Sequence, residues 1–579
     1  MEIIKKILII VLFSSSILFA LKDTEDNKTR PLTKVEKFSQ VLKKQLTVKR
    51  SPLLKNIKNK KILKKVYLEN KFTPLWINDK GDLNKVKYKQ LFTLISNDLT
   101  LNKNGFIYKH NQELISQSDN NFTQNDLLKM ELKLSSHYYN FLKHLLYGEI
   151  EWKNFSRKLS SLKKYKINAS WLRYKPTHNL ITLLSQPNIH ATVEEITPKR
   201  FGYNSLLQAL ERLYKMEEDG GWKKLPYFKR LKLGNTGDIV IQLKNRLKYS
   251  GDYRSCEEKV KKSQKNLENN ESNLSQTPRI EKEAIFDECL DIAVKRFQKR
   301  HGLEVDGIVG GGTRKALNVP VEEKIKTVLL NIDRIKWLPR DKQKRYLIVN
   351  IPEFMLYYIE HERTNKSLRV ITGNPKHPTP VFSEEISYIV LNPYWKVPEG
   401  IVRREIIPAM IKNPNYLKRQ GIHAHTNWNE RSPIVNVSGL FWEDYLYGNK
   451  KFPYRLMQPP GPRNALGKIK FKFPNRFAVY LHDTPTRYLF KRTKRAFSHG
   501  CVRLSNPVSL LDTISSFNED INMTKATKKL KGKRKQVLNV KNKLPIHIVY
   551  LTAGINNDNE LSFRNDIYRY DKFMKRTIR

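Results

Sequence analysis

Apolar residues recur at three- and four-residue steps through much of the N-terminal part of the chain, which is the period of an amphipathic α-helix. The clearest segment runs from Leu127 to Leu146, and another runs from Ser205 to Tyr214. The apolar positions of the longer segment are Leu128, Leu132, Leu134, Tyr138, Phe141, Leu142 and Leu145. No catalytic constellation accompanies them. Residues 46–228 therefore predict a helical scaffold domain.

A more compact helical pattern follows over residues 229–318. Its first predicted helix ends near Gly251, as a glycine after a helix C-terminus often does. A charged, low-complexity stretch around 257–283 predicts a loop or hairpin, and a second helix comes next. The apolar face of the first helix holds Val240, Leu243 and Leu247, and that of the second holds Phe286, Leu290, Ala293, Val294 and Phe297. We interpret the unit as a small three-helix module.

The hydrophobic period changes from about 3.6 to 2 near residue 340, which predicts β-strands. Short strand-like runs with proline- and glycine-rich connections indicate a β-sandwich or barrel. The runs are 346–351, 355–359, 368–373 and 388–392. Alternation is lost over 408–469, which predicts an insertion that caps a cleft. The aromatic residues Trp428, Trp442 and Tyr445 either line that cleft or simply pack within the insertion. The predicted fold class is multidomain α+β.

The N-terminus predicts export. Lys5 and Lys6 precede an apolar run from Ile7 to Ala20, which is the order of a basic region and a hydrophobic region in a signal peptide. Leu18 fits the cleavage pattern poorly, so both a cleaved signal peptide and an uncleaved anchor stay open for residues 1–20. A polar linker is predicted over 21–45. We expect a periplasmic location, with an inner-membrane tether if the segment is retained.

The net charge of +52 has two interpretations. A coding bias toward lysine would scatter solvated charges over the surface. The functional interpretation is that the positive charges bind a polyanionic partner. Basic clusters at 58–61 and 528–535 contain no interleaved aromatic residues and no nucleic-acid motif. Nucleic acid is therefore a weak alternative to an anionic cell envelope.

Three cysteines are present, at 256, 289 and 501. An odd number of cysteines in an exported protein leaves at least one that cannot form a disulfide within the chain. Cys256 and Cys289 lie close in sequence, and we hypothesise that they pair. Cys501 would then be the free thiol, and three reduced structural thiols are the alternative.

Cys501 lies in Ser498-His499-Gly500-Cys501, and His482 precedes Ser498 by fifteen intervening residues. A cysteine beside histidines is a candidate nucleophile with a candidate base. Alternation over 477–482 predicts a strand with Tyr480 and His482 on one face.

His482 is the preferred base, His499 assists or orients, and the backbone amides around Gly500 and Cys501 would stabilise an oxyanion. Arg503 is a candidate partner for a substrate carboxylate. Asn506 and Pro507 predict a helix start, which places Cys501 on a turn between a loop and a helix. Zinc binding by the histidines and the cysteine lacks a fourth ligand at a typical spacing.

These residues resemble the signature of the L,D-transpeptidase catalytic domain. The resemblance extends over 319–579, through Val349-Asn350-Ile351-Pro352, Thr379-Pro380-Val381-Phe382 and Pro545-Ile546-His547. Residues 229–318 resemble a peptidoglycan-binding module through Phe297-Gln298 and Asp306-Gly307-Ile308, and a structural module without glycan contact is the alternative. The order of domains is similar to that of the large Gram-negative members. Many members have glycine where this chain has Asp483, whose backbone carbonyl would still serve as the third catalytic element.

The resemblance implies that Cys501 attacks the peptide bond before the terminal D-alanine of a tetrapeptide stem. A thioester forms, and an amine of a second stem resolves it as a 3→3 cross-link. Neither cofactor nor metal is implied, and carbapenem-type β-lactams would acylate Cys501. Other wall synthases are expected partners. Two alternatives stay open: a carboxypeptidase that uses water as the acceptor, and an inactive wall-binding structural protein.

Overall fold

The computed structural model describes residues 31–117, 122–174, 176–253, 283–340, 343–446 and 450–575. The predicted signal peptide and most of the charged stretch around 257–283 lie outside these residues. The chain forms two compact units. One comprises the described residues up to Leu146 together with Thr177–Thr197, and the other comprises Tyr147–Pro176 and the residues from Pro198 onward. No helix among the described residues is long and apolar enough to cross a membrane.

The part of the chain before the main sheet is helical, as predicted from residue 46 onward. Its α-helices are α1 Lys34–Thr47, α2 Lys60–Glu69, α3 Lys85–Ser96, α4 Phe106–Gln117, α5 Gln124–Tyr147, α6 Trp152–Ser161, α7 Leu180–Ser185, α8 Ile189–Ile196, α9 Tyr203–Glu218, α10 Asp238–Tyr249, α11 Glu288–Arg300, α12 Gly311–Leu317 and α13 Val321–Lys336. Short 3₁₀ turns occupy Pro52–Leu54 and Leu162–Tyr165. The predicted linker over 21–45 is wrong from Lys34, because Lys34–Thr47 forms a helix that buries Phe38, Leu42 and Leu46. Helices α5 and α9 confirm the two clearest periodic segments.

The first unit is held partly by a buried carboxylate on α5. Glu131 accepts hydrogen bonds from the amides of Leu75 and Trp76 at 2.6 and 2.9 Å and from the Tyr67 hydroxyl at 2.6 Å. Burial raises the pKa of Glu131. Because the two amides lie in a segment without regular structure, the carboxylate replaces the hydrogen bonds that a helix would supply.

Helices α10, α11 and α12 pack around a common core that includes Leu243, Leu290 and Phe297. Gln298 is buried and accepts the amides of Asp306 and Gly307 at 3.1 and 3.0 Å. This contact explains why Phe-Gln and Asp-Gly-Ile occur together in the sequence. Cys289 is disulfide-bonded and Cys501 is free. Cys256, the partner predicted for Cys289, lies outside the described residues.

The C-terminal part of the chain is mainly β. Its strands are β1 Arg345–Asn350, β2 Met355–Glu360, β3 Arg363–Gly373, β4 Phe382–Leu391, β5 Trp395–Lys396, β6 His423–His425, β7 Ile434–Val435, β8 Arg455–Gln458, β9 Ile469–Lys472, β10 Leu481–His482, β11 Ala496–Ser498, β12 Val502–Leu504, β13 Gln536–Val549, β14 Ala553–Ile555 and β15 Leu561–Phe563. Its helices are α14 Glu399–Ile401, α15 Ile407–Lys412, α16 Tyr416–Gln420, α17 Pro507–Ser515, α18 Met523–Lys531 and α19 Tyr570–Lys575, with a π-helical segment at Val402–Ile406 and 3₁₀ turns at Trp442–Tyr445 and Arg487–Lys491.

The main sheet closes on itself. Its order is β11-β3-β12-β10-β9-β4-β13-β1-β2, and β2 pairs again with β3. The core is continuous across the sheet and α17, because Leu347, Leu481, Val502 and Leu510 are all fully buried in one cluster. The barrel-like alternative of the predicted β-fold is therefore the one observed.

A small separate sheet forms the cap, in the order β5-β8-β6-β7. It has its own apolar core, which includes Val397, Ile407 and Leu456. The core reaches back to Val397 because β5 pairs with β8, so the folded cap also includes residues before the predicted boundary at 408. Trp442 is buried in this core with Tyr445 packed against it, which supports the packing alternative for both residues.

The predicted strand over 477–482 is wrong except at its end, since only Leu481–His482 pair as β10. Ala478 has a φ of +55°, which a strand does not allow. The side chain of Asn475 accepts the amides of Phe477 and Val479 at 3.0 and 3.1 Å. This local capping replaces the strand ladder and turns the segment into a loop.

Candidate active site

The predicted nucleophile and base line one cavity between the barrel and the cap. The cavity has a volume of about 800 Å³ and is lined by Cys501, His482, Tyr480, His499 and Arg503. Basic side chains outnumber acidic ones among the lining residues. The basic residues are Lys396, Lys470, Lys472, Arg503 and Lys535, and the acidic residues are Glu405 and Glu430. Such a cavity favours an anionic ligand.

Strand pairing explains why these residues meet. Strand β10 runs parallel to β12, with Leu481 opposite Val502 and His482 opposite Arg503. Leu481 and Val502 are fully buried in the barrel core. Since side chains alternate along a strand, His482 and Arg503 point to the opposite face, where the cavity lies.

Cys501 lies between β11 and β12, so its predicted place on a turn leading directly into a helix is wrong. Helix α17 begins only at Pro507, and three residues of strand intervene. Asn506 does cap that helix, since its side chain accepts the amide of Ser509 at 3.1 Å. The structure places Asn506 outside the cavity lining, as a helix cap.

The turn before Cys501 is tightly braced. Gly500 has a φ of +111°, which favours glycine, and its carbonyl accepts the Thr379 hydroxyl at 2.8 Å. The Gly500 amide donates to Ser498 Oγ at 3.2 Å, and Ser498 Oγ donates to the Cys501 carbonyl. The Gly500 amide is thus engaged. The Cys501 amide makes no hydrogen bond with the described residues and remains the better oxyanion donor.

His482 is buried and held in one orientation. Its Nδ1 lies 2.6 Å from the carbonyl oxygen of Asp483, so Nδ1 carries the proton and donates it to that oxygen. Nε2 is then the basic nitrogen. Burial and the positive charge of Arg503 lower the pKa of His482 to about 3. The imidazole is therefore neutral near pH 7 and able to accept a proton.

The Asp483 side chain fixes the backbone that orients His482. It accepts the amides of Lys468 at 2.9 Å and Thr484 at 2.8 Å, and it pairs with Arg487 at 2.8 Å. A Cβ at Gly467 would come within 2.4 Å of this carboxylate. Asp483 is thus accommodated by a glycine on the neighbouring loop, and its carbonyl makes the contact with His482 that the predicted role requires.

Cys501 is partly exposed in the cavity, and its resting form is the thiol. Burial raises the pKa of Cys501, and hydrogen bonding by Tyr480 and the charges of Lys470 and Lys472 oppose that rise. Lys470 Nζ lies 3.8 Å from the centre of the Tyr480 ring, and the ring of Tyr480 lies 5.5 Å from that of His482. The thiol of Cys501 and the imidazole of His482 line the same cavity and are both neutral, so the sulfur must lose its proton as it attacks.

Arg503 has capacity left for a ligand. Its Nη1 donates to Thr486 Oγ1 at 3.2 Å, while its buried Nε has no hydrogen-bond partner among the described residues. Desolvation lowers the pKa of Arg503, although the group stays basic. An anionic group of a ligand would relieve this unpaired charge.

His499 faces the cap. Its Nε2 lies 2.5 Å from Glu405 Oε1 in the π-helical segment, and its ring centre lies 4.7 Å from that of His377. The hydrogen bond to His499 lowers the pKa of Glu405. His499 therefore connects the nucleophile turn to the cap.

Sequence reasoning missed Lys470, Thr379 and Glu405. Lys470 stands opposite His482 in the antiparallel β9–β10 pair, and Glu405 comes from the cap. Neither lies near Cys501 in sequence, so only the fold brings them together. Thr379 was identified within a family motif without a role, and the structure places its hydroxyl on the Gly500 carbonyl. No group of acidic, histidine or cysteine residues that could hold a metal occurs in the described part of the chain.

Comparison with known families matches three segments. Residues 344–526 match the family described as "L,D-transpeptidase catalytic domain", residues 61–210 match a "Scaffold domain", and residues 256–317 match a "Putative peptidoglycan binding domain". A curated protein of Haemophilus influenzae named "Putative L,D-transpeptidase" is 32% identical over 246 residues, which is 42% of this chain and 47% of the relative. The matched region thus spans about half the length of that relative.

Solved structures with a local likeness include three named as L,D-transpeptidases. That from Mycobacterium smegmatis is 12% identical, with coverage of 36% of this chain and 58% of the other and a TM-score of 0.17. That from Xylanimonas cellulosilytica is 14% identical, with coverage of 56% and 99% and a TM-score of 0.16. That from Stackebrandtia nassauensis is 14% identical, with coverage of 56% and 96% and a TM-score of 0.20.

Proposed function

We propose that this chain, whose residues 344–526 belong to the L,D-transpeptidase catalytic-domain family, forms 3→3 cross-links in peptidoglycan through a thioester on Cys501. The observation that carries the proposal is the orientation of His482. Its Nδ1 is committed to the Asp483 carbonyl, which leaves Nε2 as a base in the cavity that also holds the Cys501 thiol.

In the first step, Cys501 Sγ attacks the carbonyl carbon of the third stem residue, and His482 Nε2 accepts the thiol proton. The Cys501 amide stabilises the developing oxyanion. The carbon–nitrogen bond to the terminal D-alanine breaks, and the proton on His482 passes to the leaving amine. The products are an acyl-thioester on Cys501 and free D-alanine.

In the second step, an amine of another stem attacks the thioester, and His482 takes one of its protons. The sulfur leaves as the thiolate and recovers that proton. The basic cavity wall supports carboxylate-bearing stems as substrates, with Arg503 as one partner for a carboxylate. No other group is needed for atoms and charges to balance.

A carboxypeptidase reaction differs only in the acceptor, because water would resolve the same thioester. The cap favours transfer to an amine, since it covers the cavity and its Glu405 reaches His499 beside the nucleophile. Incubation with purified disaccharide-tetrapeptide distinguishes the two reactions by mass spectrometry. Dimer with loss of D-alanine supports transpeptidation, and tripeptide monomer alone supports hydrolysis.

The wider setting of the reaction is part of the same proposal. The predicted export signal, the match at 256–317 and the chain's excess of positive charge support a periplasmic enzyme that stays close to the anionic cell wall. Other wall synthases are proposed neighbours, and carbapenem-type β-lactams are proposed acylating inhibitors of Cys501. An inactive structural protein would not require the orientation of His482 or the unpaired Arg503 nitrogen.

A further inference from the structure

A second cavity lies away from Cys501, where the three-helix module meets the barrel domain. It has a volume of about 290 Å³. Its walls come from helix α9, the C-terminal end of α10 and the segment that ends in β15. Arg212, Lys248 and Asn559 are exposed residues of its lining, so the cavity is open to solvent.

Three basic side chains are buried at or next to this cavity. Arg300 and Lys324 belong to its lining, and Arg246 lies against the ring of the lining residue Trp222. Arg246, Arg300 and Lys324 are only 3%, 7% and 5% exposed. A single buried carboxylate, that of Asp252, accompanies them and is itself 3% exposed. Arg300 binds both oxygens of Asp252, and its Nη1 also donates to the Leu561 carbonyl at 3.1 Å. The Asp252 carboxylate is therefore committed to Arg300.

Arg246 and Lys324 have no carboxylate partner among the described residues. Arg246 Nε donates to the Leu317 carbonyl at 3.0 Å, but its buried Nη1 and Nη2 make no hydrogen bond with the described part of the chain. Lys324 Nζ lies 2.9 Å from His301 Nε2, a group that carries no negative charge. Buried positive charge without a counter-ion is unfavourable, so this arrangement calls for an anion.

Aromatic rings complete the cavity. Trp222 lies between the two unpaired cations, with its ring centre 4.0 Å from Arg246 Cζ and 5.4 Å from Lys324 Nζ. The ring of Phe563 lies 4.6 Å from Lys324 Nζ. Leu213, Met216 and Leu561 add apolar surface to the wall. An inorganic ion would leave this apolar surface unused, whereas a carboxylate on a small apolar body would use both features.

We propose that this cavity is a binding site for the terminal carboxylate of a short peptide or amino acid. The carboxylate is held by Lys324, and the apolar part of the ligand lies against Trp222 and Phe563. Arg246 adds positive charge from behind the Trp222 ring. The site is distinct from the cavity of Cys501, because the two share no lining residue. The proposal does not depend on the reaction at Cys501.

The protonation of Lys324 agrees with such a site. Burial and the charges of Arg300 and Arg246 lower the pKa of Lys324, and Asp252 opposes the effect. A bound carboxylate would add a negative charge beside Lys324 and raise its pKa. Binding is therefore expected to be accompanied by proton uptake at any pH at which free Lys324 is partly neutral.

The test uses the full chain with Cys501→Ala, which cannot turn over a substrate. The probes are N-acetyl-D-alanyl-D-alanine, the same dipeptide as its C-terminal amide, free D-alanine and sodium phosphate. Thermal unfolding and titration calorimetry report binding, and calorimetry in buffers of different ionisation enthalpy reports proton uptake. Lys324→Met removes the proposed partner of the carboxylate, Arg246→Gln removes the positive charge behind Trp222, and Arg503→Gln serves as the matched control in the other cavity.

The account predicts that the free-acid dipeptide raises the unfolding temperature whereas its amide does not. Lys324→Met is expected to reduce the affinity for the dipeptide at least tenfold, and Arg246→Gln is expected to reduce it by less. If free D-alanine also binds, the carboxylate in this site can come from a free amino acid as well as from the end of a peptide. Loss of binding in Arg503→Gln with retention in Lys324→Met would overturn the proposal, as would equal stabilisation by the amide or by phosphate. An unliganded Lys324→Met that unfolds at the same or a higher temperature shows that the variant is folded.

Discussion

His482 Nδ1 donates a hydrogen bond of 2.6 Å to the carbonyl oxygen of Asp483, the residue that follows it in the chain. This contact selects the tautomer in which Nε2 is unprotonated. It also makes the orientation of the imidazole depend on the backbone at Asp483, which the Asp483 carboxylate fixes through Lys468, Thr484 and Arg487.

The first prediction concerns the acid limb of the reaction. Burial and Arg503 hold the pKa of His482 near 3, so the imidazole stays neutral far below its usual value. The acid limb of kcat/KM is expected well below pH 6.5. Arg503→Gln removes a positive charge, raises the pKa of His482 and moves the limb to higher pH. The pH profile of acylation by a carbapenem measures the acid limb in wild type and in Arg503→Gln. An acid limb near pH 6.5 in both proteins would contradict a lowered pKa of His482.

The second prediction concerns Lys470. Its charge favours the Cys501 thiolate, so Lys470→Met is expected to raise the pKa of the thiol. At pH 7 the rate of alkylation by iodoacetamide should fall about threefold to tenfold, the effect of half to one pKa unit. Lys470 itself has a pKa lowered to about 8, so the difference between the proteins should shrink above that pH. Lys535→Met is the matched control, since Lys535 is paired with Glu430 at the same cavity.

The third prediction concerns Gly467 and Asp483. Gly467 has a φ of +58°, and a Cβ there would lie 2.4 Å from the Asp483 carboxylate. Gly467→Ala is expected to reduce the free energy of unfolding by about 1–3 kcal/mol, from backbone strain and the steric conflict. In an Asp483→Gly background the steric conflict with the carboxylate disappears, so Gly467→Ala should reduce the free energy of unfolding by less. Denaturant unfolding of the four proteins measures the coupling, and strictly additive effects would count against this contact.

The fourth prediction concerns the ion pair between Glu405 and His499. The pair lowers the pKa of Glu405 in the folded protein, so its contribution is present above the ordinary value of about 4.5 and is lost as pH falls through the lowered value. Glu405→Gln is expected to increase hydrogen exchange of amides in 399–412 at pH 7. Glu399→Gln, an exposed position on the same segment, is the control. Equal exchange in wild type and Glu405→Gln would show that the pair does not hold the cap.

Apolar positions at helical steps predicted the helices α5 and α9, and short apolar runs predicted the strands β1 to β4, although β1 is buried at five consecutive positions and does not alternate. The segment 477–482 failed because the side chain of Asn475 satisfies its backbone, an effect that the alternation does not report. The predicted nucleophile Cys501 and the predicted base His482 line one cavity, and their catalytic roles stay predictions. Lys470 and Glu405 were not predicted, since they reach the cavity from β9 and from the cap, 31 and 96 positions before Cys501.

The central claim is that Cys501 carries the acyl group. Intact-mass measurement during incubation with disaccharide-tetrapeptide, followed by peptide mapping, tests it most directly. The account predicts an adduct equal to the substrate minus D-alanine on the peptide that contains Cys501, sensitive to hydroxylamine, with neither adduct nor dimer in Cys501→Ala. An adduct on another residue, or dimer formation by Cys501→Ala, would contradict the account.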